Sequence, residues 1–321
     1  MWGYIWCRIR ILPLLFIVIT FFSFLIMQLA PGDPTTIMLS PKVKPEDRSR
    51  IRHNLGLDRP VYIQYFIWLK NLTLKGELGY SMINGQPVFS SILSCLPPTF
   101  ILMGGAYVLS LLLAILVGVY SAKKRNSLQE QLISLLAITG ISVPAFWLGL
   151  MSMYVFTIKL NLLPSMGMFT PGLSGGTLVK VKDFLQHLIL PLTVLTITTV
   201  AYWSRYLRSS LIEVLAEDYI LVARAKGLPE RRVLFYHALK NSLLSLITLI
   251  GLSLPDLIGG AYVLEMVFSW PGMGRLGMEA IFHRDYAVVM GIVLFSSILI
   301  LLANLLTDIS YALLDPRIRY D

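Results

Sequence analysis

Residues Glu217–Asn241 read EDYILVARAKGLPERRVLFYHALKN, a dense run of charge in a chain that is otherwise apolar. Acidic Glu213, Glu217 and Asp218 precede basic Arg224 and Lys226, the order that suits the partial charges at the two ends of a helix. Gly227 can take the left-handed conformation that closes a helix, and Pro229 cannot extend that helix but can open the next, with Glu230 in its first turn. The segment therefore predicts helix, tight turn, helix. Ala223 and Gly227 are four residues apart, so they fall on one face near the turn and leave a shallow notch flanked by Arg231 and Arg232. On these residues alone two readings stay open. One is a docking knob for another helix or loop; the other is an amphipathic loop held on the membrane surface by its basic residues.

The rest of the chain places this segment. Of 321 residues, 56% are hydrophobic and 14% charged, with a mean hydropathy of +0.71. A soluble domain carries about a quarter charged residues, so the composition predicts an all-α integral membrane protein. Apolar runs long enough to cross about 30 Å of hydrocarbon fall near 10–30, 99–122, 131–156, 187–206, 243–264 and 287–312, giving six transmembrane helices. The run RIRILPLLFIVITFFSFLIMQLA, Arg8–Ala30, is long for a signal-peptide core and reads as a retained first span.

Orientation follows from Lys and Arg. With the N-terminus inside, the inner segments hold Arg8 and Arg10, Lys123–Arg125, the basic residues between Arg205 and Lys240, and Arg317 and Arg319. Both termini are then cytoplasmic, and so is Glu217–Asn241. The net charge of +9 reflects these inner loops rather than nucleic-acid binding. Cys7 and Cys95 have neither a disulfide-framework nor a metal-type spacing.

Three regions emerge: 1–30, with the first span; 31–98, an external loop; and 99–321, the five-helix core, whose cytoplasmic loop is 207–242. The external loop departs from the charge trend with eight basic residues, but it exceeds the length over which the rule is counted. Within it, Pro45–Asp47 suits a helix start and Gly56 its end. An aromatic helix follows, with Tyr62, Tyr65, Phe66 and Trp68. A small external subdomain is expected, packed on the membrane surface or on neighbouring helices.

The patterns of catalytic chemistry are missing from the sequence: no phosphate loop, no HExxH, no cysteine–histidine cluster and no GxSxG elbow. The run LSGG, Leu173–Gly176, matches the start of an ATPase signature loop, but without a phosphate loop it reads as a glycine-rich turn. His53, His187, His237 and His283 are scattered over loops and helix ends as polar boundary residues. Carboxylates in or beside spans are costly and mark pathways or internal pairs. Asp256, beside Pro255 and the Gly259–Gly260 pair, and Glu265, at the outer end of the fifth span, are the candidates for lining a translocation pathway; Asp308 sits near the inner end of the sixth. A broken helix around Asp256 is expected.

The stretch Glu217–Thr248 resembles the cytoplasmic EAA loop of ABC-importer permeases, in the form of the dipeptide/oligopeptide (peptide/nickel/opine) permease family. Ala223 and Gly227 fall on the motif's small positions, with Glu217, Asp218, Tyr219, Arg224, Ala225 and Lys226 around them. Leu221 and Val222 stand where the general motif has glutamate and its first alanine, and Ser245 where the family often has proline. Further landmarks run along nearly the whole chain: LAPGDP (Leu29–Pro34), LGLDRPVYIQY (Leu55–Tyr65), SVPAFWLG (Ser142–Gly149), FSWPGMGRL (Phe268–Leu276), RDYAVVMG (Arg284–Gly291) and DPRIR (Asp315–Arg319).

The resemblance implies a type I ABC importer permease fold and a transport subunit that is not itself an enzyme. The implied partners are a second homologous permease, two ABC ATPase subunits carrying ATP and Mg, an extracytoplasmic solute-binding protein and a peptide substrate. No cofactor is implied on this chain, and the implied location is a prokaryotic inner or plasma membrane. The family also takes nickel chelates, opines and sugars. In the outer loop between spans five and six, Trp270, Pro271, Gly272, Gly274 and Arg275 imply a fixed turn, read either as an external gate or binding-protein contact or as structure alone. A stand-alone secondary transporter is the rival from another class. It would run on intramembrane carboxylates, which are few, and would tolerate change in the cytoplasmic loop, where the strongest pattern lies.

Overall fold

The computed structural model describes residues 2–29, 50, 53, 56 and 58–314. Within these, the side chains of 2–9, 244–245, 255–256, 258–259 and 306–314 are not described. The expected helix start at Pro45–Asp47, most of the LAPGDP stretch, DPRIR and the side chains of Asp256 and Asp308 therefore lie outside the described residues.

Among the described residues, eleven helices follow one another: α1 (Trp2–Leu29), α2 (Val61–Lys75), α3 (Val88–Lys123), α4 (Leu128–Ser142), α5 (Ala145–Met153), α6 (Thr177–Leu215), α7 (Asp218–Ala225), α8, α9 (Tyr262–Val267), α10 (Met273–Phe282) and α11 (Tyr286–Leu314). Helix α8 opens as Glu230–Arg232, passes through a π-type turn at Val233–Ala238 and continues as Leu239–Gly259. The only β pairing among the described residues is a single bridge between Tyr80 and Pro87. Among the described residues, five helices are long and apolar enough to cross a membrane, or six spans if the bent pair α4–α5 counts as one.

Helices α3 and α6 form the spine, packing along each other more than any other pair. Ala106, Ser110, Ala114, Gly118 and Ala122 recur every fourth residue on α3 and are all buried, a small-residue stripe that lets helix backbones approach closely in a membrane. A Cβ on Gly118 would lie 3.1 Å from the Ser204 carbonyl of α6. The Ser110 hydroxyl donates to the Thr196 carbonyl at 3.4 Å. These pairings advance together along both helices, so α3 and α6 run parallel. Helix α4 runs antiparallel to α6, from the Glu130–Arg208 ion pair at 2.9 Å to Gly140 against Ala201.

Two expectations about spans change. Helix α3 begins at Val88, well before the expected start at 99, and carries Pro97 and Pro98 inside it; membrane helices tolerate such prolines where neighbouring helices and polar side chains supply compensating bonds. The third span is not straight. Helices α4 and α5 meet at 95°, because Pro144 forces Val143 out of the helical region to φ −82°, ψ 125°. At 36 and 39 residues, α3 and α6 exceed the roughly 20 residues a span needs, so both project beyond the hydrocarbon.

Three apolar cores lie in sequence along α3. Val88 and Ile92 share one with Leu78, Met273 and Val288. Leu102, Met103 and Ala106 share the next with Leu264, Phe268 and Trp270. Ala114, Val119 and Ala122 share the last with Leu211, Ile220, Ala223 and Val233. The aromatic helix α2 packs on neighbouring helices through Tyr65, which touches Phe21 and Phe24 edge-on and bonds to Thr20 at 3.0 Å. Tyr62 and Phe66 stay exposed.

Candidate functional site

Two constructions sit at different levels of α3, about 35 Å apart along its axis between Thr99 and Ala122. The first is the α7 loop. Helix α7 ends in a Schellman turn: the Gly227 N–H donates to the Arg224 carbonyl at 2.9 Å and the Leu228 N–H to the Ala223 carbonyl at 3.4 Å. Gly227 has φ +77°, which a residue with a Cβ adopts only under strain. Pro229 then precedes α8, giving the expected helix, turn, helix.

The expected notch does not form. Ala223 is buried with Ile220 against Leu211, Val233 and Ala122, whereas Gly227 is exposed with nothing within 4 Å of an added Cβ. The physical reason is the turn itself. Two residues four apart share a face only while the helix continues, and α7 stops at Ala225, with Gly227 turned into the left-handed region. The outward side of α7 is instead built from Tyr219, Leu221 and Val222, which are 43%, 54% and 53% exposed, with exposed Asp218, Ala225 and Lys226 beside them. Glu217, Arg231 and Arg232 are also exposed. Arg224 spans the turn to Glu230 with hydrogen bonds of 2.8 and 3.4 Å. The Asn241 amide of α8 donates to the Tyr219 hydroxyl at 2.7 Å. The element is thus clamped from beneath and across its turn, with an apolar patch facing away.

The second construction is a cage around Glu265, which is fully buried. Helix α8 runs unbroken through Pro255 and Asp256 to Gly259, so the chain breaks later than expected, at Gly260 with φ +80°. Glu265 follows on the short helix α9. Its carboxylate accepts from the Thr99 hydroxyl of α3 at 3.0 Å and from the Arg275 N–H at 3.0 Å. The Thr99 hydroxyl in turn accepts from the Met273 N–H at 2.7 Å. Gly260 and Gly272 crowd the carboxylate so closely that a Cβ on either would collide with it, and a Cβ on Gly274 would collide with the Tyr262 backbone, 3.0 Å from the carboxylate.

The predicted turn residues complete the cage. Trp270 is wholly buried and donates from Nε1 to the Pro98 carbonyl at 2.9 Å; Pro271 is exposed. Arg275 reaches the Ser269 carbonyl at 2.8 Å and Glu279 at 2.7 Å. Glu265, taken from the sequence as a pathway candidate, therefore joins the turn Trp270–Arg275 in one closed unit and faces no open space in this conformation. Asp256 is not part of this unit as described, since its side chain lies outside the described residues.

The sequence pattern missed Thr99, which lies far from Glu265 along the chain. It also missed the apolar outward patch, because Leu221 and Val222 registered only as departures from a motif. The clustering of glycines around a single glutamate, Gly260 to Gly274, was the available signal for the cage.

Residues 114–320 match the family model described as binding-protein-dependent transport system inner membrane component. The chain belongs to this family. Residues 1–103 match the N-terminal component of the same transport-system membrane proteins. The oligopeptide transport system permease protein AppB of Bacillus subtilis is 42% identical over 303 residues, 94% of each chain. A putative peptide permease protein of Brucella ovis is 40% identical over 304 residues, 94% of each. The glutathione transport system permease protein GsiC of Escherichia coli O6:H1 is 36% identical over 310 residues, 97% of this chain and 96% of its own. This permease is a multi-pass membrane protein, and the family implies partner subunits of a transport system.

Proposed function

We propose that this permease is one membrane half of an ATP-driven importer of di- and oligopeptides, with both termini and the α7 loop on the cytoplasmic side of a prokaryotic inner or plasma membrane. It pairs with a second, homologous permease. Two ABC ATPases carrying ATP and Mg dock below, and an extracytoplasmic binding protein delivers the peptide from above. The observation that carries the reading is the α7 element: a short helix locked to the α3–α6–α8 core by Ile220 and Ala223, which turns Tyr219, Leu221 and Val222 outward. An apolar patch on a rigid, charged loop fits a groove on another protein. Because α7 shares a core with three long helices, a push on it is transmitted to their packing rather than absorbed locally.

In this cycle, closure of the ATPases draws the two α7 elements together and shifts the bundle between two packings, one open to each side. The Glu265 cage holds the external turn rigidly against α3, so the turn moves with that helix as a unit. This chain performs positioning and transmission, and the ATP chemistry belongs to its partners. Names of the relatives support peptides as the substrate class.

The test is the double variant Leu221→Asp with Val222→Asp in the complete transporter. Both side chains are exposed, so folding is retained, while uptake of a labelled peptide into proteoliposomes falls by about 100-fold, the factor for roughly 2.7 kcal/mol of lost docking. Unchanged ATP-dependent uptake with the ATPases still bound would refute the coupling role. Gly227→Trp is a poorer test, because the left-handed backbone at Gly227 penalises any side chain whether or not a partner touches it.

A further inference from the structure

Helices α3, α6 and α8 are joined by one side chain between the two constructions. Tyr107 lies about 12 Å along α3 from Thr99, on the way to Ala122. It packs against both the core under α7 and the core beside the cage, and no other described residue does so. Its ring leans on that of buried Trp203 of α6, with centroids 5.4 Å apart at 58°. Its hydroxyl donates to the Ser253 carbonyl of α8 at 3.1 Å. One turn further out, a Cβ on Gly104 of α3 would stand 4.0 Å from Leu257 Cδ2 of α8. With 107 facing 253 and 104 facing 257, the two helices run antiparallel and in contact.

The part of α8 that Tyr107 holds has two features that loosen a helix. Ser253 Oγ turns back to the Leu249 carbonyl at 2.9 Å, a bond that bends helices. Pro255 has no N–H to give the Gly251 carbonyl. A helix bends most readily at such a place, so the position of α8 there depends on what it is tied to. The tie is a single hydrogen bond, and hydrogen bonds between membrane helices are individually weak. The Glu265 cage, by contrast, closes several bonds around a buried carboxylate.

We propose that Tyr107 is a positioning residue of the transport cycle. Its hydroxyl holds the bendable part of α8 against α3 in the packing described above, and the bond is released when closure of the ATPases shifts the bundle to its other packing. The proposal rests on the importer reading and adds to it the contact through which the α7 end and the cage end are kept in step. A bond made in both packings, and so purely architectural, is the alternative that the test separates.

The experiment uses the complete transporter with its binding protein in nanodiscs. Cys7→Ser and Cys95→Ala remove the native thiols, and the pair Gly104→Cys and Leu257→Cys reports on the α3–α8 contact through the rate of linking by a short bis-methanethiosulfonate reagent. A non-hydrolysable ATP analogue is titrated in. Linking is expected without nucleotide and is expected to slow as the analogue binds. Tyr107→Phe keeps the ring against Trp203 and removes only the hydroxyl. It is expected to lower the analogue concentration for half-loss of linking by about fivefold, a factor corresponding to about 1 kcal/mol. An architectural bond would lower the thermal midpoint in Tyr107→Phe and leave that concentration where it was. An unchanged or raised concentration, a linking rate that the analogue does not alter in the Tyr107 parent, or no linking without nucleotide overturns the proposal. The importer reading is judged apart, by ATP-dependent uptake of a labelled peptide in the unmodified transporter; uptake without a shift from Tyr107→Phe leaves that reading standing and removes only the role of Tyr107.

Discussion

At the α7 end of α3, Ala122 shares a core with Ile220 and Ala223, and the turn beyond them closes on backbone hydrogen bonds with open space around Gly227. At the other level, Thr99 meets a single buried carboxylate, and three glycines are pressed against it. The first construction is fixed by apolar packing below and leaves its upper surface free. The second is fixed by polar bonds around one fully buried carboxylate. The contrast separates an exposed turn, closed by its own backbone, from a buried polar joint between helices. It also separates two uses of glycine. Gly272 is extended, at φ −102°, so it is required only for close approach. Gly227 has ample room and is required only for its backbone conformation.

That separation sets the largest expected effect. Gly272→Ala places a Cβ 2.5 Å from both the Glu265 carboxyl carbon and the Thr99 hydroxyl. Neither neighbour can retreat without losing a buried hydrogen bond. Destabilisation of about 3 kcal/mol, at the upper end of overpacking penalties, is expected, read as a lower thermal midpoint and lower yield of the purified transporter. An unchanged midpoint would mean that the cage is slack and the contrast between the two ends false.

Gly227→Ala comes next, at about 1–2 kcal/mol from the left-handed conformation alone, and Gly227→Asn falls between it and the native residue because asparagine tolerates that region. The ranking Gly, Asn, Ala in thermal midpoint identifies a backbone requirement. A ranking by side-chain size would instead reveal an unseen neighbour. The smallest effect belongs to Glu230→Gln, which removes the exposed ion pair to Arg224. About 0.5 kcal/mol or less is expected, and a larger loss would show that the turn depends on charge rather than on its Schellman bonds.

Much of the α7 end was legible in the sequence, since Gly227, Pro229 and the ordered charges around them each impose local geometry. The direction of Ala223 was not. A small residue at helical spacing fits equally beneath a core or at a contact surface, and only the tertiary packing of Ile220 decides between them. The spans were legible as apolar runs, but not their limits. Pro97 and Pro98 fall just before the expected span 99–122 and prove to lie inside α3, while Pro144 falls within the expected span 131–156 and proves to be a sharp bend. The difference lies in what surrounds each proline, which a single sequence does not carry. The Glu265 cage was half legible. Its glycines and glutamate were each singled out, but the bond that joins them to α3 spans 166 positions.

The central claim is that the outward face of α7 meets an ATPase rather than the membrane surface. The direct measurement is a cross-link from Leu221→Cys, in a background without Cys7 and Cys95, using a short thiol-to-amine reagent on the complete transporter in its native membrane. The account predicts a covalent product with the ATPase subunit from Leu221→Cys and none from Ala223→Cys, whose side chain faces the core. A cross-link to neither, with a fluorophore on Leu221→Cys quenched by brominated lipid, would contradict it.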